Sequence, residues 1–166
     1  IVLIWRFAAR RWGCSAAAWA AGALASGTLF VFSGHLLTLD AGFTLFLTLA
    51  LLQFAEAQLA RGEPRDQLRH MLACWAALGL AVLSKGVAAL VLPALTLAIY
   101  AFWQRDWPAL RNLHWLRGSA LLAAITLPWF VMAARNNHDF LEFFFVHEHL
   151  QRFLTDGAAR VKPWWF

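Results

Sequence analysis

From Cys14 to Gly34 the chain reads CSAAAWAAGALASGTLFVFSG, 21 residues without a charge. As an α-helix this run is about 31 Å long, enough to cross a hydrocarbon core of about 30 Å. An uninterrupted apolar run of that length is the mark of a membrane span, and the rest of the chain follows suit. Hydrophobic residues make up 61% and charged residues 14% of its 166 residues, whereas soluble domains sit near half and a quarter. The net charge of +5 comes from cations dispersed between apolar runs. That pattern points to a membrane and away from nucleic acid. Cys14 and Cys74 lie far apart in apolar runs and read as free thiols packed as small hydrophobes.

Charge placement threads the chain. Ile1 to Phe7 reads as the tail of a span, followed by spans over 14–34 and 41–60 and the polar turn RGEPRDQLRH. The stretch 71–103 reads either as one long helix with Lys85 near its middle or as two short spans hinged at Ser84-Lys85-Gly86. One helix would place RDQLR and RDWPALR on opposite faces and would cost roughly 2.5–3.5 kcal/mol for Lys85 at mid-membrane. Two spans, 71–84 and 87–103, gather Arg6, Arg10, Arg11, Arg61, Arg65, Arg69, Arg105, Arg111 and Arg117 on one side. Lys85, Arg135, Arg152, Arg160 and Lys162 fall on the other, nine against five. The positive-inside rule then makes the arginine-rich side cytoplasmic. A last span over 119–134 contains Pro128, and an external segment runs over 135–166. Trp103, Trp107 and Trp115 fall at the cytoplasmic edge, and Trp164 and Trp165 at the external one. Gln53 and Glu56 are the polar residues inside a span, with Glu56 expected to reach the cytoplasmic edge near Arg61. The chain opens without Met on IVLIW and stops at KPWWF, and reads as an internal piece of a longer protein.

The external side collects the chemistry. Asp40, in LTLDAGFTLFL, suits two roles: a helix N-cap, or a carboxylate at the mouth of a polar cavity orienting a sugar or a cation. Lys85 likewise suits snorkelling, or a compact cation at headgroup depth for a phosphate. The stretch NNHDFLEFFFVHEHLQRFL reads as an interfacial helix whose apolar face carries Phe140, Leu141, Phe144 and Phe145. His147 and His149 differ by about 200° around a helix axis, so a straight helix does not aim both at one ion. Glu142, His149 and Arg152 share a face, while Glu148 and Arg152 have the spacing of a surface ion pair worth a few tenths of a kcal/mol. A metal site there needs a further ligand from another loop.

LTLDAGFTLFLTLAL, LSKGVAALVLPAL and FFFVHEHLQRFLTDGAARVKPWWF, in this order between spans, resemble the membrane glycosyltransferases of the protein-mannosyltransferase superfamily. Within it the chain resembles the bacterial aminoarabinose transferases that modify lipid A. The resemblance covers essentially the whole chain, and E-H-x-x-R-F at Glu148, His149, Arg152 and Phe153, with K-P-W-W-F after it, is its most specific part. It implies an all-α polytopic GT-C transmembrane bundle with a periplasmic interfacial helix, in the bacterial inner membrane. It further implies a polyprenyl-phosphate sugar donor, with undecaprenyl phosphate as the lipid, and a periplasm-facing acceptor, a lipid A phosphate in the aminoarabinose branch. Carried onto this chain, Lys85 and Arg152 would bind the leaving lipid phosphate. His147 or His149, more weakly Glu148, would help hold a divalent cation, and Asp40 would be the acidic residue of the second external loop. The family's principal catalytic carboxylate is expected before Ile1, so this piece alone is expected to be inactive. Two other readings remain: a related transferase with a protein or other glycan acceptor, and a piece of a transporter. A transporter would place ionisable groups near mid-membrane on broken helices.

Overall fold

The structure, a computed structural model, describes residues 1–35, 40–105 and 107–137. Among the described residues every regular element is a helix: α1 Val2–Ser26, α2 Thr28–His35, α3 Asp40–Leu59, α4 Pro64–Lys85, α5 Ala88–Gln104, α6 Trp107–Arg111 and α7 Trp115–Asn136. Two helices, α3 and α7, are long and apolar enough to cross a membrane, and α5 is apolar but shorter. The chain divides into two compact units, Ile1–Ile125 and Thr126–Phe166.

Glycine punctuates the first unit. Gly13 sits at φ 84°, ψ 170° and breaks α1 into Val2–Trp12 and Cys14–Ser26. A side chain strains that conformation, so only glycine makes the bend cheaply. The run 14–34, expected as one span, breaks again at Gly27, whose extended backbone (φ −62°, ψ 118°) separates α1 from α2. Uncharged composition measures how far a segment can sit in lipid, not where its helix bends.

Helices α3 and α4 form the core as an antiparallel hairpin joined by a turn over 60–63. Pro64 at the first helical position and Asp66 in the first turn suit the start of α4. Its buried residues Gln67, Met71, Cys74, Ala77 and Ala81 recur every three or four positions and make one stripe. That stripe meets Ala50 and Ala57 of α3 together with Leu113, in one buried cluster. Hydrocarbon offers helices no hydrophobic drive to associate, so small residues at the seam stabilise it through close van der Waals approach.

On another side of α4, a Cβ on Gly79 would lie 3.2 Å from Ile125, and one on Gly118 would lie 2.1 Å from the Trp75 indole. The Trp75 ring therefore occupies the space a Gly118 side chain would need. Its N–H donates to the Leu113 carbonyl at 2.8 Å, and its ring meets Trp115 edge-on at 5.7 Å. These contacts run α7 parallel to α4 and level its start with the middle of α4.

The hairpin's turn end is polar. Arg11 of α1 pairs with Glu56 of α3, and His70 Nδ1 meets Gln53 Oε1 at 2.8 Å. Glu56 lies at this end, as expected, and its carboxylate reaches Arg11 of α1, while Arg61 donates to Gln58, its neighbour one helical turn back. Two helix hydroxyls are satisfied by their own helices, Ser84 donating to Leu80 at 3.0 Å and Thr96 to Leu92 at 2.8 Å. Large apolar side chains such as Trp19, Phe102, Trp103 and Leu116 point outward, which suits lipid and would be costly in water.

In the second unit the described residues continue α7 through Pro128, with Trp129 and Phe130 edge-on at 5.1 Å. Pro128 lies inside the helix without ending it, as packed membrane helices allow.

Candidate functional site

The end of the hairpin opposite its turn brings together residues 45 positions apart. Asp40 is the first residue of α3 and Lys85 the last of α4, and the Lys85 ammonium donates to the Asp40 carboxylate. The hairpin explains the meeting. The two residues close helices of 20 and 22 residues on either side of the turn, so antiparallel packing brings them side by side. Gly42 lies against the last turn of α4, where a Cβ would make an ordinary 3.9 Å contact with Ser84 Oγ.

Gly86 holds the lysine in place. Its amide closes α4 on the Val82 carbonyl at 2.7 Å, and its backbone then leaves at φ 72°, ψ −147°, a region open essentially to glycine alone. Ala89 donates back to the Gly86 carbonyl at 3.1 Å, so α5 begins almost at once. The ammonium also lies 5.4 Å from the centroid of the Phe43 ring, within cation–π range. About half of each partner's side chain is exposed, 49% for Lys85 and 52% for Asp40. A pair so open contributes on the order of 0.2–1 kcal/mol and remains exchangeable with another anion.

Chemically the site is an ammonium at the end of α4, beside the start of the membrane-crossing helix α3, in contact with one carboxylate and one aromatic ring. An ammonium is a compact donor of three hydrogen bonds with no geometric demand on its partner. That suits a phosphate whose lipid tail lies in the bilayer alongside the helices.

Sequence reasoning put Asp40 and Lys85 on one face, and the structure joins them directly. It did not find Phe43 or the backbone role of Gly86. One signal for the pairing was present, because 40 and 85 are nearly symmetric about the turn over 60–63. The other site residues expected from sequence, His147, Glu148, His149 and Arg152, lie outside the described residues. Among the described residues no group of three His, Cys, Asp or Glu side chains is placed to hold a metal. Asp40 at this end is engaged by Lys85.

Residues 1–144 match the family model of the dolichyl-phosphate-mannose-protein mannosyltransferases. Among curated proteins, the chain is 37% identical over 130 residues to an undecaprenyl phosphate-alpha-4-amino-4-deoxy-L-arabinose arabinosyl transferase of Pseudomonas aeruginosa (strain UCBPP-PA14), covering 77% of this chain and 23% of that protein. A protein of the same name from Aeromonas salmonicida (strain A449) is 32% identical over 169 residues, covering all of this chain and 30% of that one. Among solved structures, ArnT from Cupriavidus metallidurans bound to undecaprenyl phosphate superposes with a TM-score of 0.85 at 34% identity, over 90% of this chain and 28% of that one. Its apo form gives a TM-score of 0.83. The chain thus spans 23% to 30% of the length of these curated relatives. At this identity the likeness establishes the fold, a helical GT-C membrane bundle.

Proposed function

Because the chain belongs to the dolichyl-phosphate-mannose-protein mannosyltransferase family, we propose that it is part of an integral-membrane glycosyltransferase using a polyprenyl-phosphate sugar. The sugar is 4-amino-4-deoxy-L-arabinose carried on undecaprenyl phosphate, a reading supported by the names of the relatives. The acceptor is a lipid A phosphate, and the enzyme works at the periplasmic face of the bacterial inner membrane. The arginine-rich turns at the opposite end of the helices support that sidedness.

The observation that carries the proposal is Lys85, held by Asp40 and Phe43 at the end of α4, in a chain superposing on a relative solved with undecaprenyl phosphate. In the reaction the bond between the anomeric carbon and the polyprenyl phosphate breaks, and its electron pair leaves on the phosphate oxygen. An oxygen of the acceptor phosphate forms the new bond to that carbon. Lys85 and Arg152 stabilise charge on the departing phosphate, which is where a preorganised cation lowers the barrier. The acceptor is already anionic, so a strong base is not demanded of this segment. Asp40 orients the sugar or its partners. A divalent cation, held by His147 or His149 with Glu148 beside them, would add positive charge near the same phosphate.

The test uses the full-length enzyme with undecaprenyl-phosphate aminoarabinose. Lys85→Ala and Arg152→Ala are each expected to lower transfer to lipid A by about 10²-fold or more at normal protein level. Wild-type turnover in either variant overturns its assignment. Transfer to a protein acceptor, with none to lipid A, would replace the acceptor and leave the donor reading intact.

A further inference from the structure

We infer that the lipid phosphate reaches Lys85 by displacing Asp40, so that Asp40 is a positioning and selectivity residue acting through the lysine. The inference rests on the reading of Lys85 as a phosphate ligand and adds what the resting site does before the phosphate arrives. Lys85 donates to Asp40, and a cation so engaged meets an incoming anion only by sharing or exchanging its partner. The exchange is physically easy here. Both side chains are about half exposed, the pair is worth at most about 1 kcal/mol, and the Phe43 ring stays beside the ammonium whichever anion it holds, 5.4 Å away at its centroid. The closed backbone at Gly86 keeps the base of the lysine in place while its tip changes partner.

The exchange has two consequences. Asp40 is released as the phosphate docks, so its carboxylate becomes available to the amino and hydroxyl groups of the sugar only when a donor is present. The competition also weighs differently on donor and product. The donor is a phosphodiester with one negative charge, and the product is a monoester with a second ionisation near neutral pH. A carboxylate competing for the same ammonium offsets the tighter grip on the product and helps it leave.

Direct binding of undecaprenyl phosphate to the full-length protein in nanodiscs tests this, with wild type, Asp40→Asn, Lys85→Ala and the double variant. Asp40→Asn is expected to tighten binding by roughly two- to five-fold, Lys85→Ala to weaken it, and the double variant to match Lys85→Ala, with no gain left from the asparagine. Unchanged or weaker binding in Asp40→Asn, with Lys85→Ala still weakened, overturns the displacement and leaves the phosphate reading standing. A gain that persists in the double variant also overturns it, because Asp40 would then repel the phosphate directly. Wild-type affinity in Lys85→Ala overturns the phosphate reading and this inference with it. Asp40→Ser gives the same comparison should the asparagine variant fail to fold.

Discussion

At the scale of single residues, the conformation of Gly86 matters more to the site than its chemistry. Any other residue at φ 72°, ψ −147° carries strain on the order of 1–3 kcal/mol. Gly86→Ala in the full-length enzyme should therefore lower the thermal midpoint and weaken undecaprenyl phosphate binding together, since a relaxed hinge moves Lys85. A lowered midpoint with unaltered binding would show that the hinge does not position the lysine. The break itself was legible, because one helix through Lys85 would have buried a charge at mid-membrane. Its geometry was not, since S-K-G is compatible with many turns. The pairing of Asp40 with Lys85 was legible only in part. Sidedness placed both on one face, but their direct contact depends on how closely α3 and α4 pack, which small residues spread along both helices decide together. Glu56 shows the same limit, because nothing in the sequence marks its pairing with Arg11, 45 positions away.

At the scale of elements, α4 is the organising helix, with α3 on one side and the start of α7 on another. Trp75 locks the second contact by lying over Gly118 and donating to Leu113. Gly118→Ala would place a methyl carbon 2.1 Å from the indole nitrogen, so the ring must leave its place. The hydrogen bond to Leu113 and the packing against Trp115 go with it. The expected cost is about 2–4 kcal/mol, summing overpacking with a lost buried bond, and is read as a lower unfolding midpoint in detergent. Trp75→Phe should recover part of that loss in the Gly118→Ala background, having a smaller ring to displace. Equal stability of Gly118→Ala and wild type would mean the close approach carries no energy. None of this was visible in sequence, where Gly118 reads only as one small residue before a span.

At the scale of the whole molecule, one end of the α3–α4 hairpin carries Arg11, Glu56, Arg61 and His70, and the other carries Asp40 and Lys85. In a background of Cys14→Ser and Cys74→Ser, Lys85→Cys should react with an impermeant maleimide on intact spheroplasts. Arg65→Cys should react only after lysis. The reverse pattern would detach the site from the periplasm. The separation of these two ends along the hairpin was legible, because alternating apolar runs carry Asp40 and Lys85 away from the arginine-bearing turns. The fold class was legible for the same reason, since lipid leaves few ways to satisfy a backbone.

The closeness of Asp40 to Lys85 bears finally on how the protein is made. On the proposed sidedness both residues must travel through the hydrocarbon when the ribosome delivers this segment, and each alone would meet a barrier of roughly 2.5–3.5 kcal/mol. Because the turn over 60–63 is short, the two helices can enter as a folded pair, and the ions then cross as one neutral couple. The contact to which we assign a lipid phosphate would thus already have served as a passport at the protein's birth.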